Sequence, residues 1–223
     1  HVYLLDEAMH MEKIGLISTN LAEKIAMTVT ESPYRVTADI ISETCGQSIS
    51  HAGAWDLVQR LGERISAEEE HAVKQMEAGQ AEGKKEIPVL FEEMDGVWLC
   101  MQGKDHKKQK KQELKVFTMY EGWEAGNKES RLVNKVMLAG MESSSLFHEK
   151  REALIEKTYN VDEIQQRVLN GDGGNWIREP YDPETIFQLD RFHIYQEIKR
   201  KLKEKEAQKA VTELFEAKQI DQM

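Results

Sequence analysis

Cysteine is nearly missing from this 223-residue chain: Cys45 and Cys100 are the only two, and no CxxC pair occurs. That excludes a disulfide framework and a zinc knuckle, and both cysteines read as small buried hydrophobes. Long apolar runs are missing too. None approaches a membrane span, and the first residues lack the basic, apolar, small-residue layout of a secretory signal, so the expectation is a cytoplasmic protein with no membrane partner. Positive charge is in deficit. Thirty Lys and Arg stand against 40 Asp and Glu, a formal net charge of −10, and the pI is near 5.3. Such a balance argues against nucleic acid as partner through bulk charge.

Local clustering runs against that sum. HKKQKK at 106–111 and KRKLKEK at 199–205 are concentrated basic patches in an acidic chain. Each is either a solvated face or a phosphate contact, with Lys107, Lys108, Lys110 and Lys111 the candidates for the latter.

The length allows one large or two small domains. From Val2 to about Gly83 apolar residues recur near a 3.6-residue period, which predicts an all-helical region broken at 31–33. Within it, 34–65 places Val36, Ile40, Ile41 and Cys45 on one face, turns at Gly46, and restarts from Ser50 ahead of Ala54, Trp55, Val58 and Leu61. This is the pattern of a helix-turn-helix, and equally that of an ordinary helical hairpin. In the first case Ser48, Ser50, His51 and Gln59 lie at the start and exposed face of a DNA-reading helix. The polar, Gly-containing stretch 66–85 predicts an exposed helix followed by a flexible link.

Beyond it the period becomes strand-like. IPVLFEEMDGVWLCMQG, 87–103, reads as a buried strand carrying Asp95. A buried aspartate costs several kcal/mol unless it is paired or binds a metal, so Asp95 is a candidate ligand; the alternative is that Glu92, Glu93 and Asp95 mark a solvated strand face. Strands at 113–122 and 131–141 complete a meander, a Ser-capped helix covers 143–159, RVLNGDGGNWI gives a short strand ending at Asp172, and TIFQLD feeds a helix starting at Arg191. Three meander strands, a helix, a fourth strand, and a fifth that leads into a helix is the element order of the ribonuclease H fold. In it Asp95 and Asp172 converge and share divalent metal. The fold class expected is therefore α+β: a helix-turn-helix region and linker over 1–85, an incomplete ribonuclease-H-like mixed α/β core over 86–200, and the start of a helical insertion over 201–223.

The blocks EEMDGVWL, ISHAGAWDLVQRLG, VLNGDGGNWI and LDRFHIYQEI together resemble the insertion-sequence transposases of the Lre-two family. The resemblance implies a DDE-type enzyme that cleaves and joins double-stranded DNA at transposon ends and target. Asp95 and Asp172 would be its first two acids, holding two Mg²⁺ or Mn²⁺ ions. It also implies a third acid beyond this chain, and a start without methionine adds the expectation of further sequence on both sides. Glu197, Glu204, Glu213 and Glu216 fit better as partners of neighbouring lysines. Asp190 and His193 either support the metal site or, for Asp190, simply cap a helix. Trp98, Trp123 and Trp176 read as core or rim residues, or as a stacking surface for a base. A homo-oligomer is compatible with all of this. Other readings of the same residues are an inactive DNA-binding fragment or repressor and a ribonuclease-H-type nuclease.

Overall fold

The protein is described by a computed structural model covering residues 13–14, 17–126, 130–178 and 183–219. The chain forms two compact units, His1–His71 and Ala72–Met223.

In the first unit, strands β1 (Lys13–Ile14) and β2 (Ile17–Ser18) pair antiparallel ahead of helix α1 (Thr19–Glu31). The expected all-helical stretch is thus interrupted, because Ser18 is extended and its Oγ caps α1 by accepting from the Leu21 N–H at 3.4 Å. Helix α2 (Tyr34–Cys45) follows Pro33 and stops at Gly46, whose φ of 63° is one that other residues rarely adopt. Helix α3 (His51–Glu77) begins where Ser50 Oγ accepts from the Gly53 N–H at 3.0 Å. Ala22, Ile25, Ile41, Ala54 and Leu57 form the core of this unit, and Cys45 packs against it half-buried.

The second unit contains β3 (Val89–Cys100), α4 (Gly103–Lys108), β4 (Lys111–Tyr120), β5 (Trp123–Ala125), β6 (Ser130–Leu132), β7 (Val136–Gly140), α5 (Ser144–Thr158), β8 (Gln166–Gly171), α6 (Asn175–Arg178), β9 (Thr185–Leu189), α7 (Arg191–Lys201) and α8 (Lys205–Glu216). Five strands make one mixed sheet in the order β7-β4-β3-β8-β9. The β7–β4 and β4–β3 pairs are antiparallel, and the β3–β8 and β8–β9 pairs are parallel. β5 and β6 form a separate two-stranded arm. The basic stretch 106–111 is not simply a loop, since α4 takes up part of it.

Leu90, Met94, Phe117, Met119, Leu138 and Leu169 face Phe147, Ile155, Tyr159 and Ile177, and this is the core. Strand alternation therefore puts Leu90, Glu92 and Met94 inward and Phe91, Glu93 and Asp95 on the other face. The expectation of a buried Asp95 is corrected: Asp95 is exposed, and the carboxylate buried in this strand is Glu92, at 1% exposure. Cys100, expected inside, is exposed at the end of the same strand.

Glu92 is matched by two arginines. Arg151 donates from Nε (2.9 Å) and Nη2 (2.6 Å), and Arg167 from Nε (2.7 Å) and Nη2 (3.1 Å). Arg167 also holds Glu152 through Nη1 and Nη2, at 2.9 and 3.0 Å. Burial alone would push the Glu152 carboxyl up, but the Arg167 bonds and the charges of Arg151 and Arg167 outweigh it and hold it below the usual carboxylate range. The network ties β3, β8 and α5 together beneath the sheet.

The link after α3 is not free. Gly83 donates to the Glu156 carbonyl at 2.9 Å, Asn160 donates to the Lys85 carbonyl at 2.9 Å, and Lys85 pairs with Glu121. A Cβ at Gly83 would collide with the carbonyl oxygens of Tyr159 and Glu156, which are backbone and cannot swing away. Gly83→Ala is expected to lower unfolding free energy by about 1–3 kcal/mol in urea titration, and an unchanged midpoint would show that the link is undocked in solution.

Candidate metal centre

The sheet register builds the site. Met94 of β3 lies opposite Gly171 of β8, and Gly171 lies opposite Leu189 of β9. One residue further along each strand come Asp95, Asp172 and Asp190. Three aspartates separated widely in sequence are therefore brought into one row by hydrogen-bond register alone.

Each is then held locally. Asp95 Oδ1 accepts from the Gly96 N–H at 2.7 Å, and Asp172 Oδ1 accepts from the Gly174 N–H at 2.8 Å. Gly173, with φ of 83°, makes the turn that brings the Gly174 N–H round to Asp172. Asp190 is the N-cap of α7, its Oδ1 accepting from the Phe192 N–H at 3.0 Å, and its Oδ2 lies 3.2 Å from His193 Nδ1. A carboxylate can only accept here, so Nδ1 is the donor, and in the neutral ring Nε2 is the nitrogen open to a ligand. Asp190 thus caps α7 with one carboxylate oxygen and meets the His193 imidazole with the other.

Ligand-capable atoms of Asp95, Asp172 and His193 all lie within 4.8 Å of one another. Two carboxylate oxygens and an imidazole nitrogen at that spacing suit one divalent cation, with Asp190 orienting the imidazole as a second layer commonly does. The cleft around them measures about 210 Å³ and is lined also by Glu93, Thr118 and Asn170. That volume suits an ion, its waters and a phosphate group. With Glu93, Asp95, Asp172 and Asp190 around it, the cleft is anionic and would repel a phosphodiester unless a cation intervened.

Glu93 was legible but unused: it stands two residues before Asp95, hence on the same strand face, and its Oε1 accepts from the Tyr120 hydroxyl at 2.9 Å. Burial and Glu93 together push the Tyr120 hydroxyl well above its ordinary range, so it stays a donor. The remaining predicted residues lie elsewhere. Ser48, Ser50, His51 and Gln59 are exposed in the first unit, and Lys107, Lys108, Lys110 and Lys111 are exposed on and after α4. Glu197 bonds Arg200 at 2.7 Å and Glu213 pairs with Lys209 at 3.8 Å, so both are occupied on their own helices. Trp98 and Trp123 are exposed rim residues, while Trp176 packs edge-on against Phe147 at 5.9 Å.

A family model described as an uncharacterised protein family, UPF0236, matches residues 1–217. The chain belongs to UPF0236. It is 24% identical over 205 residues to the "UPF0236 protein in vanSb 3'region" of Streptococcus gallolyticus, which covers 89% of this chain and 43% of that relative. A UPF0236 protein of Caldanaerobacter subterraneus subsp. tengcongensis, whose name joins eleven locus designations, is 23% identical over 198 residues, 87% of this chain and 38% of the relative. A further UPF0236 protein of that organism is 24% identical over 199 residues. The chain thus spans about two fifths of the length of these relatives. The UPF0236 match corrects the resemblance to the Lre-two transposases. All four blocks that carried it lie inside the matched span, and the relatives bear the UPF0236 name with no transposase wording.

Proposed function

We propose that this UPF0236 chain carries a divalent-metal-dependent phosphoryl-transfer centre acting on DNA, cleaving and joining strand ends as a DNA transposase does. The observation that carries the reading is the convergence of Asp95, Asp172 and His193 within 4.8 Å, beside the C-terminal ends of β8 and β9. Metal by itself does not specify DNA. The strand order β7-β4-β3-β8-β9, with its antiparallel meander and two parallel additions, is that expected of a ribonuclease-H-like domain and favours a nucleic-acid phosphodiester. Helices α2 and α3, joined through Gly46 and the turn 46–50, fit a helix-turn-helix that presents Ser48, Ser50, His51 and Gln59 to double-stranded DNA. The exposed lysines 107, 108, 110 and 111 add phosphate contacts. One relative's name joins eleven locus designations, a multiplicity that a mobile element would produce.

In this reading Asp95 and Asp172 supply anionic oxygens, His193 supplies Nε2, and Asp190 fixes the imidazole. A bound Mg²⁺ or Mn²⁺ ion supplies charge neutralisation and polarisation of a phosphoryl oxygen. The reaction class is attack by water or a 3′-hydroxyl on phosphorus with departure of the opposite oxygen. The test is incubation of the protein with labelled duplex DNA in Mg²⁺, in Mn²⁺ and in excess EDTA. Nicking or joining confined to the metal lanes supports the proposal, whereas cleavage that persists in EDTA, or none in either metal despite DNA binding, contradicts it.

A further inference from the structure

The face of the sheet that carries Asp95 continues into a cluster of three aromatic rings. Phe91 lies four residues before Asp95 on β3, hence on the same face and about 13 Å away along the strand. Its ring stacks with Tyr120, the residue opposite it on β4, at 5.7 Å and 12°. Trp123 rests on both, 4.7 Å from Phe91 at 57° and 5.3 Å from Tyr120 at 69°. Tyr120 is buried, yet Trp123 remains 54% exposed, and every residue of β5 is exposed. Two rings therefore fix the plane of an indole whose outer surface is uncovered.

That combination is unusual for packing and suited to recognition. A large apolar ring left in water forfeits much of what burial would return, while a ring already immobilised loses little side-chain freedom when a second flat group lands on it. The carboxylates nearby are matched by cations, with Glu124 of β5 standing opposite Arg131 in the strand register. Glu121, beside Tyr120, is neutralised by Lys85 and further bonded by Asn134 and Tyr159. Arg131 and Lys135 are exposed cations on and after β6, the strand that pairs with β5. The cluster is also joined to the cleft, since Tyr120 donates to Glu93, a cleft residue.

We propose that Trp123, seated on Phe91 and Tyr120, is a stacking platform for an unpaired base of a single DNA strand running toward the cleft. Resting on the reading of DNA as substrate, this adds a preference for a frayed or single-stranded segment. At ~3.4 Å per stacked nucleotide the platform lies about four nucleotides from the acidic row. Paired bases offer no free face to the indole, whereas an unpaired base of any sequence does.

The test is binding of a labelled ten-nucleotide single strand and of its duplex, by anisotropy in EDTA, so that metal chemistry plays no part. The parent is expected to bind both, the duplex through the helical unit, with only single-strand binding depending on Trp123. Trp123→Ala weakens single-strand binding by about tenfold or more, and Trp123→Phe, which keeps a stacking face and the contacts below it, stays within about threefold of the parent. Equal single-strand affinity of parent and Trp123→Ala, or a loss in Trp123→Ala that is as large on the duplex as on the single strand, overturns the proposal. Trp123-dependent binding without metal-dependent cleavage would remove the proposed reaction and leave the platform standing.

Discussion

Asp95→Asn and Asp172→Asn are each expected to lower the proposed Mg²⁺-dependent DNA cleavage by at least about a thousandfold, ~4 kcal/mol of transition-state stabilisation, while leaving DNA affinity within about twofold. The amide keeps the shape of the side chain and its bond from Gly96 or Gly174, but it removes the anionic oxygen that would hold the proposed cation. DNA affinity is retained because the lysines and the helical unit assigned to DNA lie outside the row of aspartates. Gel assays of cleavage and anisotropy measurements of binding separate the two effects. Cleavage within tenfold of the parent in either variant would remove that aspartate from the site.

Arg151→Ala is expected to cost about 3–5 kcal/mol of stability, the largest structural effect in the second unit. Glu92 is buried, and removing Arg151 takes away two of the four hydrogen bonds that compensate its charge. Arg167 cannot make up the loss, because its guanidinium is shared with Glu152. Pairing Arg151→Leu with Glu92→Met removes both charges and should recover most of the loss, since matched buried ions and well-packed apolar groups are of similar stability. Urea unfolding of parent, singles and double closes the cycle. A cost below about 1 kcal/mol for Arg151→Ala would show that water enters the site and solvates Glu92. The network bears on the cleft because it joins β3 to β8, the strands whose register aligns Asp95 with Asp172.

Much of this was legible in the residues. The strand periodicity of 87–103, 113–122 and 185–190 gave the sheet its main members, and GDGG gave the turn after β8. Asp95 and Asp172 could be named because packing does not require a carboxylate inside the apolar run of β3 or directly after β8. What failed was the assignment of faces. VLFEEMDGVWL is apolar on both parities, and only knowledge that α5 covers a single face separates buried Glu92 from exposed Asp95. Arg151 and Arg167, the partners of Glu92, lie on other elements, so no local pattern could announce them. The docking of 83–85 was hidden for a related reason: a glycine chosen for close approach to the Tyr159 and Glu156 carbonyls looks like a glycine in a flexible link. His193 was visible only as support, because its place beside Asp172 depends on the β8–β9 register. The family relation was misread because blocks shared with UPF0236 were referred to the Lre-two transposases.

The central claim is that Asp95, Asp172 and His193 hold a divalent cation together, and calorimetric titration with Mn²⁺ tests it most directly. The parent is predicted to bind with a saturable heat, and Asp95→Asn, Asp172→Asn and His193→Ala are each predicted to lose at least about tenfold in affinity. Identical titrations of the parent and all three variants would contradict the claim.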